Sequence, residues 1–224
     1  MLSEVFYLNL DSIELQAERT VDPTLKTRPI AIISSADSSG TIISLSNEAK
    51  EEGLYEGMKV SIAKKKKQMV QFLPYNRALY QRVNKYTYDT LSNFTPIVEP
   101  SGMNGFYMYM KGMVRSRDSI KDFGMSVIKK IESRISLFSA IGISANKLVS
   151  RIITNVVHEN IHEVHFGLEN QFLAPLNFNV LPTARLKPVY KILHFLLIDK
   201  IFQLQTLTNC AEEFRKLFGV NAVP

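Results

Sequence analysis

The stretch EPSGMNGFYMYMKG, residues 99–112, reads as two short strands joined by a tight turn at residues 102–105. After the turn, successive side chains alternate between two faces, as they do in a β-strand. One face carries Phe106, Met108 and Met110, and the other carries Tyr107 and Tyr109. No charged residue stands between Glu99 and Lys111. The pattern therefore predicts a β-hairpin with two apolar faces and a neutral turn.

Strands and helices alternate on both sides of this hairpin. Short apolar segments bounded by turn residues predict strands at residues 5–10, 29–34, 41–46, 137–143 and 163–166. Apolar residues at helical spacing predict helices at 47–52, 76–94, 120–135 and 148–156, the last with Ser144 or Asn146 as its N-cap. After Gly167 we expect a separate helical unit with helices at 186–198 and 209–218. The alternation predicts an α/β sheet with helices on at least one face.

The composition is that of an ordinary soluble protein, with 224 residues of which 46% are hydrophobic and 21% charged. The sequence shows neither an apolar run of about 20 residues nor a signal-peptide pattern, so we expect a cytoplasmic protein with no membrane partner. The single cysteine, Cys210, excludes an internal disulfide and suits a reducing compartment. The net charge of +6 is compatible with nucleic-acid binding. The lysine run at 64–67 is either a phosphate contact or a solvated helix end.

The segment HENIH, residues 158–162, matches the H-E-x-x-H pattern of zinc proteases. Such a site needs both histidines on one face of a continuous helix, with the glutamate acting on a metal-bound water. The residues that follow, EVHFG, read as a strand, so the helix does not continue through the motif. We therefore interpret this segment as a polar helix end and turn.

Several segments, taken in order, resemble the Y-family DNA polymerases, the translesion group that includes DinB and UmuC. They are LNLDSIELQAE (8–18), SLSNEAKEEGLYEGMKV (44–60), TPIVEPSGMNGFYMYMKG (95–112), SAIGISANKLVSRI (139–152), FLAPLNFNVLP (172–182) and LTNCAEEFRKLFG (207–219). The resemblance implies an α+β fold with the right-hand polymerase core: a ferredoxin-like palm, a small fingers domain and a helical thumb. It places the palm at residues 1–12 and 77–166, the fingers at 13–76 and the thumb at 167–224. Family members continue into a little-finger domain, which we expect to be absent from this chain.

The positions that match the family's metal ligands have lost their carboxylates. Two magnesium ions are normally clamped there by acidic side chains, because a hard cation requires anionic oxygen ligands. By the resemblance, the first position is Asn9, and the acidic pair of the hairpin is Asn104 and Gly105. Asp11 remains, but its family position usually contributes backbone. We therefore expect no catalytic residue, no metal and no cofactor.

The positions that match the family's nucleotide contacts have changed as well. Glu14 stands where an aromatic residue packs against the sugar, and Asn47 and Lys50 replace the fingers Tyr and Arg. His158 replaces the lysine that reaches the triphosphate. The expected nucleic-acid contacts are basic residues of the palm and thumb, namely Lys147, Arg151, Arg185, Lys187 and Lys191.

These departures lead us to expect a pseudo-enzyme that resembles the ImuB group. Such a protein would act as an adaptor in translesion synthesis and SOS mutagenesis, located at the bacterial nucleoid. Its implied partners are damaged or primer–template DNA, a sliding clamp, a RecA-like accessory protein and an active DNA polymerase. Two alternatives stay open. One is a divergent but active nucleotidyltransferase that uses magnesium with Asp11, Glu14 or Glu18, and the other is a plain DNA-binding module.

Overall fold

The computed structural model describes residues 5–37, 39–66, 69–113 and 118–206. Its strands are β1 (Val5–Asn9), β2 (Ile30–Ile33), β3 (Ile42–Leu45), β4 (Gln71–Pro74), β5 (Val98–Ser101), β6 (Gly105–Tyr109), β7 (Ala140–Ser144) and β8 (Ile161–Glu163). Its α-helices are α1 (Ile13–Val21), α2 (Asn47–Glu51), α3 (Val60–Lys66), α4 (Arg77–Leu91), α5 (Asp118–Ile135), α6 (Lys147–Val156), α7 (Glu169–Leu173), α8 (Lys187–Phe195) and α9 (Ile201–Thr206). Within these ranges, 3₁₀ helices occur at Pro23–Thr27, Phe178–Val180 and Pro182–Arg185.

A five-stranded sheet in the order β5-β6-β1-β7-β8 forms the centre of the larger unit. The strand pairs are antiparallel except β7 with β8, which run parallel. The predicted hairpin is present as β5 and β6, and its apolar face packs in the core with helices α4 and α5. That core includes Phe6, Leu8, Phe106, Met108 and Ile131. The alternation predicted from residues 106–110 therefore separates a core face from a second face that carries the tyrosines.

Helix α6 packs across β1 and β7. Asn146 caps it, because its side-chain oxygen accepts a hydrogen bond from the Leu148 amide at 2.7 Å. Gly142 lets the helix approach closely: a Cβ atom there would lie 2.0 Å from the Ser150 carbonyl oxygen. This close approach brings the side chains of α6 to the tyrosine-bearing part of the sheet.

A separate three-stranded sheet, in the order β3-β2-β4, belongs to the segment between β1 and α4. One side of β2 packs in a core with Leu45, Ala49 and Met58. Its other side, Ile30 and Ile32, contacts Leu15 of α1. The segment after β8 has its own small core, which includes Phe178, Ala184 and Leu193.

Some predicted elements are misplaced or missed. The strand predicted at 137–143 begins only at Ala140, because the backbone of Phe138 is bound on both sides by the Gln16 side chain, at 2.6 and 3.1 Å. The strand predicted at 163–166 lies at Ile161–Glu163, where it pairs with β7. Helix α1 was missed because its buried residues Ile13, Leu15 and Ala17 alternate like those of a strand. The helix predicted at 209–218 and Cys210 lie outside the described residues.

The predicted break in the helix at HENIH is present, since α6 ends at Val156, before the segment begins. Its last two residues, Ile161 and His162, belong to β8 and not to a turn. In the parts of the chain that the structure describes, no helix is long and apolar enough to cross a membrane.

Candidate functional site

The end of β1 meets the hairpin turn and forms the corner where the resemblance places the metal ligands. Asn104 donates a side-chain hydrogen bond to the Asn9 amide oxygen at 3.2 Å. The Leu10 amide donates to the Asn104 carbonyl at 2.7 Å, which fixes the turn against β1. Both asparagines are half-buried. This amide corner, formed by Asn9 and Asn104, is uncharged, and its two side-chain amides bind each other.

Gly105 lies directly opposite Asn9 in the β1–β6 ladder. A Cβ atom at this position would lie 2.0 Å from the Tyr7 hydroxyl oxygen and 3.0 Å from the Ser101 carbonyl oxygen. Tyr7 is only 3% exposed, and its ring packs on Tyr107 with centroids 4.7 Å apart. The space of a side chain at residue 105 is therefore filled by Tyr7.

The remaining acids near the corner lie on or before α1. Asp11 is exposed, and its carbonyl accepts a hydrogen bond from the Gln16 side chain. Glu18 accepts a hydrogen bond from the buried Tyr80 hydroxyl at 2.9 Å. Burial raises the pKa of Tyr80 strongly, and the Glu18 and Glu14 carboxylates raise it further. Across the residues described, no cluster of three His, Cys, Asp or Glu side chains is placed to hold a metal ion.

The first basic residue of α6 is already paired. Lys147 Nζ lies 2.6 Å from a Glu99 carboxylate oxygen, and the Tyr109 hydroxyl donates to the same oxygen at 3.3 Å. The ammonium group also stands 5.1 Å from the Tyr107 ring centroid. The hydrogen bond from Lys147 lowers the pKa of Glu99, and the Glu99 carboxylate raises the pKa of Lys147. Lys147, predicted as a nucleic-acid contact, is therefore engaged within the palm.

Two other predicted nucleic-acid residues meet in a cleft between α6 and the following 3₁₀ segments. Its lining includes Arg151 and Asn155 on one side, and Pro182 and Arg185 on the other. The Arg151 guanidinium also stands 5.9 Å from the Tyr7 ring centroid. Arg185 donates to the Asn179 carbonyl at 3.4 Å. The exposed Lys187 and Lys191 lie on α8, outside this lining.

The predicted nucleotide-contact positions lie on separate elements. Glu14 is in the first turn of α1, while Asn47 and Lys50 are exposed on α2. His158 is exposed in the segment after α6. Their neighbour Glu48 pairs with Arg19 of α1 at 2.9 Å, which ties α2 to α1.

Sequence reasoning missed Tyr7 and Glu99, and a signal in the sequence points only to the close approach near Tyr7. Tyr7 is two residues before Asn9, so both side chains share one face of β1. A glycine within a strand, as at residue 105, commonly marks a close approach by another group. Glu99 lies five residues before Asn104, but its partner Lys147 is on α6 and is visible only in three dimensions.

Curated relatives of this chain are named DNA polymerase IV. The protein of that name from Dehalococcoides mccartyi strain 195 is 28% identical over 192 residues, which is 85% of this chain and 49% of the relative. The one from Saccharolobus solfataricus is 23% identical over 159 residues, or 70% of this chain and 45% of the relative. The chain thus spans about half the length of the curated relatives it matches.

These relatives overturn two of our predictions. The relatives are named as polymerases, which are enzymes, so the prediction of a pseudo-enzyme is wrong. The prediction of no cofactor is wrong for the same reason, because polymerases transfer nucleotidyl groups with divalent metal ions.

Solved structures confirm the predicted fold. A ternary complex of Dbh superposes with a TM-score of 0.84 at 18% identity, covering 97% of this chain and 63% of the other. DinB from Sulfolobus solfataricus gives a TM-score of 0.82 at 18% identity, covering 96% and 63% of the two chains. The chain therefore has the mixed α+β fold of the Y-family polymerase palm and fingers.

A family comparison agrees with the fold and with the relatives. The model of the impB/mucB/samB family matches residues 8–155, which extend from β1 to the end of α6 and include both the amide corner and the hairpin. The match covers well over half of the chain, so this protein belongs to the impB/mucB/samB family, that of the Y-family DNA polymerases.

Proposed function

We propose that the protein acts on primer–template DNA in translesion synthesis, as a divergent Y-family nucleotidyltransferase. The observation that carries this proposal is the 28% identity to a DNA polymerase IV along 85% of the chain. The family match over residues 8–155 supports it. The domain division at residues 1–12 and 77–166, 13–76 and 167–224 is part of the proposal. Two separate sheets and a third small core support that division.

DNA binding is supported by the cleft that contains Arg151 and Arg185. Guanidinium groups bind phosphate oxygens in a planar, two-point geometry, and such contacts position a protein on DNA without reading its sequence. Because the two arginines come from opposite sides of the cleft, one backbone phosphate between them could contact both. We include Lys187 and Lys191 as weaker contacts that act through charge on the exposed side of α8.

The residues at the three metal-ligand positions do not fit the family's two-ion clamp. Asn9 and Asn104 offer neutral amides that hydrogen-bond to each other, and Gly105 offers no side chain. Neutral ligands leave the charge of two divalent ions uncompensated. The exposed carboxylate next to this corner is Asp11, so our proposal assigns to Asp11 the acidic group on which nucleotide incorporation depends. Glu14 is the second candidate acid.

Primer extension tests the proposal directly. The purified chain, Asp11→Ala and the matched control Asp122→Ala would be incubated with a primer–template, deoxynucleotides and either magnesium or manganese. Asp122 is an exposed acid of α5, on the opposite side of the five-stranded sheet from α6. We expect incorporation by the chain and by Asp122→Ala, and its loss in Asp11→Ala. Failure of the unmodified chain to extend the primer with either metal would refute nucleotidyl transfer.

The partners and cellular setting are carried by the family resemblance alone. We propose a sliding clamp, a RecA-like accessory protein and a second DNA polymerase as partners, with induction by DNA damage and location at the bacterial nucleoid. Binding of the purified clamp to the immobilised chain, measured with and without DNA, tests the first of these contacts. No clamp retention in either condition would remove the clamp from the proposal.

A further inference from the structure

Tyr7 and Asn9 share the face of β1 that points away from the core formed with α4 and α5. Phe6 and Leu8 belong to that core, whereas Tyr7 packs in a separate cluster with Val5 and Tyr107. Since Asn9 pairs with Gly105 and Tyr7 pairs with Tyr107, the Tyr7 side chain is one step along the ladder from the amide corner. The Tyr7 ring can therefore occupy the space beside Asn9, above residue 105.

The glycine at residue 105 is required by space and not by backbone conformation. Gly105 lies in β6 and is absent from the glycines with positive φ. A Cβ atom there would be 2.0 Å from the Tyr7 hydroxyl oxygen and 2.7 Å from the ring carbon that bears it. Real Cβ atoms do not approach other heavy atoms that closely, so any larger residue at 105 requires the Tyr7 ring to move.

The ring has little freedom to move. It is 97% buried, and it packs on the Tyr107 ring with centroids 4.7 Å apart. Arg151 stands over it at 5.9 Å, which adds a cation–π contact and a positive charge on this side of the corner. Burial raises the pKa of the Tyr7 hydroxyl, so this group is neutral at physiological pH.

We infer that Tyr7 and Gly105 are a coupled pair. Tyr7 fills the space of a side chain at residue 105, beside Asn9 in the amide corner, and keeps divalent cations out of it. Tyr7 is then a positioning residue that decides whether residue 105 can carry a ligand. Asp11, which is exposed next to the corner, lies outside the space that Tyr7 fills. The inference concerns cation binding and holds whether or not the chain incorporates nucleotides.

A stability cycle tests the coupling. Gly105→Ala, Tyr7→Ala and the double variant would be compared with the unmodified chain by thermal unfolding. We expect Gly105→Ala alone to lower Tm by about 5 °C or more, and to cost little in the Tyr7→Ala background. Equal effects of Gly105→Ala in both backgrounds would show that Tyr7 does not occupy this space.

A cation titration tests the exclusion, with Asn9→Asp present throughout so that two carboxylates can face each other across the strands. Three variants would be titrated with manganese by electron paramagnetic resonance: Asn9→Asp/Gly105→Glu alone, with Tyr7→Phe, and with Tyr7→Ala. We expect Tyr7→Ala to bind manganese at least tenfold more tightly than the other two. Tyr7→Phe keeps the ring carbon 2.7 Å from the Cβ position, so it serves as the matched control.

Two results would overturn the exclusion. Equal manganese affinity with Tyr7 intact would show that the tyrosine is no barrier. No gain from Tyr7→Ala, in variants whose circular dichroism and unfolding show a native fold, would show that the corner is closed by something else.

Discussion

The amide corner, formed by Asn9 and Asn104, differs from the arginine cleft, lined by Arg151 and Arg185, in its charge and in the space left open. In the corner, Asn9 and Asn104 satisfy each other and the Tyr7 side chain fills the remaining space. In the cleft, Arg151 and Arg185 line an opening and carry two positive charges. The cleft therefore gathers positive charge around an opening, while the corner is neutral and its space is filled by side chains.

Reversing the charge of the cleft has the largest expected effect. Arg151→Glu/Arg185→Glu should weaken binding to primer–template DNA about a hundredfold, because two phosphate contacts are replaced by repulsion. Fluorescence anisotropy over a salt series measures this affinity. Lys130→Glu/Arg134→Glu, the same charge change on exposed positions of α5, is the control. Equal losses in both double variants would mean that net charge, and not the cleft, binds DNA.

The hydrogen bond that engages Glu18 can be tested by substitution of Tyr80. Tyr80→Phe removes the hydroxyl that donates to Glu18 and leaves this carboxylate without its partner. We expect the free energy of unfolding to fall by about 1–2 kcal/mol. Tyr86→Phe on the same helix, where the ring is 57% exposed, should change it by less than about 0.5 kcal/mol. Urea denaturation measures both values. An unchanged free energy of unfolding in Tyr80→Phe would show that this hydrogen bond does not stabilise the fold and that Glu18 is available for another contact.

Removing the partner of Lys147 should raise the DNA affinity of the palm surface, because Lys147 then carries a positive charge without a paired carboxylate, as the cleft arginines do. Glu99→Gln removes the carboxylate that pairs with Lys147 and also a negative charge near α6. DNA affinity should rise about two- to threefold, a modest effect because the pair is exposed. Glu132→Gln, an exposed acid of α5, is the matched control. Unchanged affinity in Glu99→Gln would place Lys147 outside the DNA path.

The smallest expected effect is the pH dependence of the stabilisation that the Glu99 carboxylate contributes. The pKa of Glu99 is lowered below its ordinary value of 4.5 by the hydrogen bond from Lys147. The stabilisation from this carboxylate is therefore complete above the unfolded-state pKa and is lost as the pH falls through the lower, folded-state pKa. The Tm difference between the unmodified chain and Glu99→Gln should be constant at neutral pH and shrink below about pH 4.5. A Tm difference that is as large at pH 3 as at neutral pH would contradict this assignment.

Sequence patterns predicted the hairpin and the helices α4 and α6, because burial on one face produces a regular spacing of apolar residues, whereas the α+β class came from the family resemblance. They failed for α1, where Ile13, Leu15 and Ala17 are buried at every second position. They also placed β8 too late, since its bounds depend on pairing with β7. The assignment of Asn9, Asn104 and Gly105 to the family's metal-ligand positions stays a prediction from the resemblance, and the inference from it to an inactive protein was wrong. Tyr7 and the Lys147–Glu99 pair required coordinates, because both depend on contacts between distant segments.

The position of Arg151 over the Tyr7 ring has a practical consequence. The chain contains no tryptophan, so its near-ultraviolet signals come from its nine tyrosines and thirteen phenylalanines. Tyr7 is a rigid, buried chromophore whose asymmetric surroundings include the guanidinium that also lines the cleft. An anion that draws Arg151 into the cleft would change the near-ultraviolet circular dichroism of Tyr7. The Tyr7 band thus offers an optical test of the phosphate contact that we propose, and the spectrum of Tyr7→Phe identifies the band to follow.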